Sequence, residues 1–300
     1  DLATDAWGYN MGWWFDVPGT YTVTATMYYN DTSTGAMMTD VSNTITVTVA
    51  ANTRTKYRIA ASGGDYTTLA AAWSAAGSSN DVWFEIESGH TEAMTEQLTV
   101  AGDNWLIAAE EGYAVRPLIT RNDFVFVLYN KKDVAFVGIK CDITTAGGQC
   151  SFAGGYGWDG CAVIDCEADH QNSCFGITDS QNNRRWLVQN FNVLEFDQYV
   201  IYLFGGGSRD VVVVGGSFAD DGVNGAEGYF RMSANSEATN AGTPAIGSGQ
   251  RINVLWATGD STISKGFLRS AWSYTHGYQN HLTQASQFGI SSYGNDTVGN

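Results

Sequence analysis

Lys265 and Arg269 stand four residues apart in the apolar stretch ISKGFLRS at 263–270. The chain holds fifteen Lys and Arg against thirty-one Asp and Glu, a formal net charge of −16, so two cations on one short apolar stretch stand out. Cations of this kind can neutralise an anionic substrate. They can also sit as unreactive charge on a solvated surface. Which role is open depends on the side of the backbone they occupy. In a β-strand, alternate side chains point to opposite faces. Burying two unpaired cations costs several kcal/mol each, so Gly266 and Leu268 are expected to face a core, and Lys265, Phe267 and Arg269 solvent. The same parity in EGYFRM sends Phe230 and Met232 inward and Glu227, Tyr229 and Arg231 outward. If the two segments are successive rungs of one sheet, roughly 4.8 Å apart, then Glu227, Arg231, Lys265 and Arg269 share one patch. Tyr202 would lie one rung below. The plainer alternative is a ladder in which Glu227 pairs with Arg231 or Lys265 and does no chemistry.

The composition demands strands to carry such a patch. Thirty-five Gly among 300 residues, with abundant Thr, Val, Ser and Asn, predict an all-β chain rich in tight turns. An acidic surface argues against nucleic acid and anionic membranes as partners, and no apolar stretch is long enough for a membrane span. The balance suits an extracellular protein. The polar, Gly-rich ending SSYGNDTVGN is read as a point beyond which more chain follows. Two N-x-S/T sequons, at Asn30 and Asn295, are permitted glycosylation sites.

The first fifty residues differ from the rest. PGTYTVTATMYY (18–29) and NTITVTVA (43–50) alternate Thr with apolar residues at period two, as antiparallel strands with one buried face do. NDTSTGAMMTD supplies the turn between them. The stretch GYNMGWWFDVPGTYTVTATMYYNDTSTG resembles the end of the polycystic-kidney-disease type Ig-like module of secreted bacterial proteins. On that resemblance, residues 1–50 are a partial Ig-like β-sandwich. Its missing strands leave an edge for the first residues, or for another copy of the chain, to cover. Residues 51–56 are read as a linker.

From residue 57 onward the pattern changes. YRIAASGGDYTTLAAAWSAAG gives a strand, a Gly-Gly-Asp turn and a short Ala-rich helix. It resembles the opening of the right-handed parallel β-helix proteins of the pectin-lyase-like superfamily, in which such a helix caps the first coil. Four apolar strands then place Val137, Ile164, Val188 and Val214 at intervals of 27, 24 and 26. CFGIT, YVIYL, GYFRM and KGFLR form a second, interleaved series. A period of this length signals a solenoid of stacked coils. The expected fold is therefore a partial Ig-like sandwich followed by a right-handed parallel β-helix over 57–300.

NGAEGYFRM followed by LR resembles segments of the chondroitinase-B-like and alginate-lyase-like polysaccharide lyases. The resemblance implies that Asn224 and Glu227 help to hold a cation, Ca2+, that Lys265 is a base and that Arg269 faces the substrate. The family's Lys and Arg lie on different coils, whereas here they share a strand. β-Elimination from a uronic acid needs a neutralised carboxylate, a base and an acid. A Lys becomes a base when flanking Arg lower its pKa. Arg231 and Arg269 supply that flank. Tyr202, Tyr229, Asn224 and Glu227 complete the substrate side.

Other constellations compete. Asp197, Asp220, Asp221 and Glu227 are carboxylates of the kind a glycoside hydrolase uses. Exposed Trp and Tyr, such as those of YGW at 156–158, can stack on sugars, with core packing, natural for large rings in a β-solenoid, as the favoured fate of any single one. The five cysteines match no zinc spacing. Cys141 and Cys166 share parity with Val137 and Ile164 and are expected in the core. Cys150, Cys161 and Cys174 are left as disulfide candidates, with small buried thiols as the alternative reading. Together these features point to a secreted or surface-exposed protein, of cell or virion, that binds or cleaves an extracellular acidic polysaccharide. The competing class is a structural or adhesive component such as a fibre, filament subunit or tailspike-like appendage.

Overall fold

The structure is a computed structural model. It describes residues 18–24, 26–30, 34, 37–41, 44–144, 151–169, 171–178, 184–194, 196–204, 211–218, 230–233, 252–259, 268–270 and 290–292. The chain divides into two compact units, one of residues 14–54 and one holding the remainder.

In the smaller unit, Gly19–Val23 pairs antiparallel with Ile45–Val49, and Thr26–Asn30 pairs antiparallel with Met37–Val41. The segment read as a turn between two strands therefore also supplies a strand of its own, Met37–Val41. A Met-Met-Thr run there has enough apolar and β-branched character to pair once the chain has reversed.

The larger unit is a β-solenoid of parallel strands. Its first face stacks Thr55–Ile59, Val82–Ile86, Leu106–Ala109, Lys132–Val137, Asp159–Ile164, Arg184–Val193, Val211–Phe218 and Ile252–Gly259. A second face stacks Thr91–Ala93, Leu118–Arg121, Lys140–Ile143 and Glu167–Asp169. The ten-residue strand Arg184–Val193 pairs with both faces and joins them into one sheet. A third face, a separate sheet, runs from Leu98–Val100 through Phe126–Tyr129, Phe152–Tyr156, Gln171–Thr178, Phe196–Phe204, Phe230–Ser233 and Leu268–Ser270 to Ile290–Ser292.

Corners form where short polar residues accept a left-handed backbone. Asp81, Asn104, Asp133 and Gly160, all at positive φ, fall in one register file at the start of the first face. Gly138, Asp165 and Asn190 form the matching file between the first and second faces. Asn, Asp and Gly tolerate this conformation best, so their recurrence at coil spacing sets where each coil bends.

Inside the coils runs a chain of aromatic rings. Trp73 stacks on Phe84 with centroids 5.0 Å apart, Phe84 meets Trp105 at 5.1 Å, and Phe126, Phe136, Phe152 and Phe191 follow in contact. The Trp73, Trp105 and Trp158 indoles each donate to a backbone carbonyl, of Thr99, Ser79 and Leu128, which removes the cost of burying their N–H groups. Trp158, placed by its sequence context among the sugar-stacking candidates, is fully buried here.

The expected Ala-rich helix spans Leu69–Ala76 and buries Leu69, Ala72, Trp73 and Ala76. Thr68 caps it by accepting from the Ala71 N–H, and it ends at Gly77 with φ 55°. Glu92 sits at a position in register with buried Ile119. Its carboxylate accepts from the Leu69 and Ala70 N–H groups at 2.5 and 3.1 Å, and lies 3.1 Å from His90 Nε2. A carboxylate at a helix N-terminus is favoured by both the free N–H groups and the helix dipole.

Candidate functional site

The third face brings three of the expected site positions into line. Tyr202 in Phe196–Phe204 is the register partner of Arg231 in Phe230–Ser233, and Arg231 is the register partner of Arg269 in Leu268–Ser270. Ser291 continues the file one strand further. The strands carrying Arg231 and Arg269 are thus successive rungs of one sheet, with Tyr202 one rung below. Phe230 and Met232 stand opposite Leu268 and Ser270 in the alternate positions. Lys265, Glu227, Tyr229 and Asn224 lie outside the described residues.

A second charged constellation, which sequence reading passed over, occupies the corner and surface of the second face. Asp165 at its left-handed corner accepts a hydrogen bond from the Tyr113 hydroxyl and one from Arg116 Nη2 at 2.8 Å. Arg116 Nε also donates to the Asp165 carbonyl at 3.0 Å. The neighbouring strands place Lys140 beside Glu167 and Asp142 beside Asp169 in register. Lys140 Nζ reaches Glu167 at 2.8 Å and Asp169 at 3.3 Å, and Arg116 lies 3.8 Å from Glu167. The signal for it was present: K-x-D at 140–142 and E-x-D at 167–169 recur at 27 residues, each around a small buried residue, Cys141 or Ala168.

The Tyr113 loop is seated by a glycine. Gly138 has φ +69°, and a Cβ there would come within 2.6 Å of the Tyr113 ring. The backbone of one coil thereby makes room for a ring that reaches across to Asp165.

The protonation chemistry of this corner is that of a strut. Burial pushes the Tyr113 phenol up to about 12, helped by the hydrogen bond to Asp165 and by that carboxylate's charge. Burial works against the charge on Lys140, but the hydrogen bond and charge of Glu167, with Asp169, outweigh it and raise the pKa overall. Arg116 follows the same pattern, with Asp165 as the group that outweighs burial. A general base must give up its proton near working pH, and neither Tyr113 nor Lys140 does so here. Two cations set among Asp142, Asp165, Glu167 and Asp169 hold successive coils together.

A third cluster lies on the first face near the start of the solenoid. Lys56 Nζ meets Glu85 at 2.7 Å and lies 4.4 Å from the centre of the Trp83 ring. Arg58 bridges Glu85 and Glu110 at 3.8 and 3.6 Å. These cations too are paired, across three consecutive rungs.

The cysteines correct one expectation. Cys161, a disulfide candidate in the sequence, is a buried free thiol. It is the register partner of buried Val134, so its side chain belongs to the inward file and out of reach of a loop partner. Burial raises the pKa of its thiol. Cys141 and Cys166 are fully buried. Cys174 falls within the strand Gln171–Thr178, and Cys150 lies outside the described residues.

Among the described residues no group of three or more His, Cys, Asp or Glu is placed to hold a metal ion, and no helix is long and apolar enough to cross a membrane. Glu227, the residue expected to help hold Ca2+, is outside them. Comparison with known proteins finds no matching family model, no matching curated protein and no matching solved structure.

Proposed function

We propose that this chain is a secreted β-solenoid that binds an extracellular acidic polysaccharide on the third face, with Arg231 and Arg269 meeting its carboxylates and Tyr202 lying under a sugar ring. The observation that supports this is the register of Arg231 with Arg269. Like charges directly opposite each other on a sheet destabilise it, so a pair of arginines at one strand spacing is favoured where an anion is shared between them. Elsewhere among the described residues of the solenoid, Lys56, Arg58, Arg116 and Lys140 have carboxylate partners. The resemblances to pectin-lyase-like β-helix proteins and to an Ig-like module of secreted proteins agree with an extracellular location. If Lys265 projects beside the two arginines, it is the base that would take the proton α to the uronate carboxylate while the glycosidic oxygen leaves. Ca2+ held by Asn224 and Glu227 would add to the neutralisation.

Titration of the protein with pectate, alginate and chondroitin oligosaccharides against a neutral glucan tests the reading. Binding of an acidic series that weakens with salt supports it, and equal or absent binding of all series overturns it. Ultraviolet absorbance from the unsaturated product distinguishes elimination from binding alone. A second reading, a non-catalytic fibre or adhesive component, is favoured by the corner at Tyr113, Arg116 and Asp165, where the described charges serve to tie coils together. The same titration with no absorbance change, together with filaments or trimers in solution, supports that reading.

A further inference from the structure

We propose that the sheet formed by Gly19–Val23 and Ile45–Val49 is the surface through which two copies of this chain associate. The two strands pair in register from Gly19 opposite Val49 to Val23 opposite Ile45. Their alternation separates two sides. Thr20, Thr22, Thr46 and Thr48 form one, and all four are exposed. Gly19, Tyr21, Val23, Ile45, Val47 and Val49 form the other. That apolar side is only partly covered: none of its residues is buried, and it ends in the cross-strand pair Val23 and Ile45, which are 38% and 60% exposed. A two-stranded antiparallel sheet is marginal in water unless its apolar side is packed against something, and an open valine–isoleucine pair in register is where packing is missing.

Charge identifies the occupant. Two copies carrying a net −16 each repel one another over most of their surfaces. Residues 17–30 and 41–53 contain no Asp, Glu, Lys, Arg or His at all. This sheet lies wholly within those two stretches, so it is a face on which two acidic copies can meet without bringing like charges into contact. A basic partner would gain nothing from a surface without carboxylates. A two-fold axis lays one apolar row against its own copy, and so satisfies both with a single patch.

Sedimentation velocity of the full chain over a range of concentrations measures the association. The expected result is a concentration-dependent dimer. Ile45→Asp should raise its dissociation constant on the order of 100-fold, because it buries like charges across the axis. Thr46→Asp, on the exposed threonine side, should leave it within about threefold of the original. Should Ile45→Asp unfold the small unit, Ile45→Thr keeps the β-branched side chain and adds no charge, and is expected to weaken the dimer roughly tenfold through lost apolar area. A wild-type chain that stays monomeric throughout overturns the proposal, as does an Ile45→Thr dimer of undiminished strength. A Thr46→Asp chain that dissociates as readily as Ile45→Asp overturns it too, since the two sides of the sheet would then be equivalent.

Discussion

Arg231 and Arg269 are register partners on adjacent parallel strands of the third face, one strand spacing apart. If they share an anion, each contributes a charge-assisted contact, and Arg231→Ala or Arg269→Ala should weaken binding of an acidic oligosaccharide by about tenfold or more. The double variant should lose most of the salt dependence as well. Arg269→Lys keeps the charge but not the forked donor geometry, and is expected to fall between the wild type and Arg269→Ala. Isothermal titration at two salt concentrations reads all of this, and a double variant that binds as tightly as the parent would remove the arginines from the site.

Gly138 should be intolerant of any side chain. Its φ of +69° strains an L-residue, and a Cβ would meet the Tyr113 ring at 2.6 Å. Gly138→Ala is expected to cost roughly 2 kcal/mol from backbone strain and overpacking together. Tyr113→Ala in the Gly138→Ala background should restore the part due to the ring and leave the part due to φ. Denaturant midpoints of the four proteins in the cycle measure both. Strict additivity of the two substitutions would show that the ring does not press on the glycine.

The two constellations on the solenoid were unequally legible in the sequence. The strand series at coil spacing and the pairing of the Arg231 segment with the Arg269 segment could be read, because apolar residues and cations alternate there in the sequence without ambiguity. The first face could not be read to the residue. Val137, Ile164, Val188 and Val214 look like one file, yet the register runs Val137, Ile164, Gln189, Val214, and Val188 belongs with Phe136, Val163 and Val213. Phe136, Val163 and Val188 line the core, whereas Val137 is half-buried. The reason is that Ala135, Ala162 and Ile164, on the opposite parity, are buried as well. Parallel strands buried on both sides read as continuous apolar runs, so hydrophobicity carries no phase. Cys141 and Cys166 reached the core as expected, but by another route: the left-handed corners at Gly138 and Asp165 reset the alternation between the first and second faces. The ion pairs around Asp165 escaped notice because its partners, Tyr113 and Arg116, lie together on a loop two coils earlier in the chain.

The buried thiols and Tyr113 make stability fall at alkaline pH. Burial pushes Cys166 up to about 12 and raises Cys161 too, and burial with Asp165 pushes Tyr113 to about 12. In each case the folded chain holds its proton more tightly than the unfolded chain. The stabilisation is therefore complete below the unfolded thiol pKa of about 8.5. Above it the unfolded state sheds protons that the folded state keeps, so stability declines as pH rises toward the folded values. Denaturation curves should be flat across neutral pH and shift to lower denaturant above about pH 9. Cys166→Ala should flatten the first part of that decline, at the cost of a small cavity. The same burial predicts that Cys141, Cys161 and Cys166 resist a thiol reagent in the native protein and react on unfolding. Rapid labelling of Cys161 without denaturant would place it at the surface after all.

Glu92 and the helix Leu69–Ala76 close the end of the solenoid, and the final prediction concerns that closure. The Glu92 carboxylate takes the Leu69 and Ala70 N–H groups, and Thr68 takes that of Ala71, so the first free donors of the helix are all paired. Glu92→Gln keeps the shape but turns one acceptor oxygen into a donor NH2 group and removes the charge that complements the helix dipole. One of the two backbone N–H groups then loses its acceptor. The expected loss is about 1 to 2 kcal/mol. Coils of a solenoid touch only their neighbours, so the loss should be felt locally. Hydrogen exchange ought to quicken across Leu69–Ala76 and Val82–Ile86, where Trp73 rests on Phe84, while Asp159–Ile164 keeps its protection. Equal loss of protection at Asp159–Ile164 would mean that the helix is not a cap on the first coils but part of one cooperative unit with the rest.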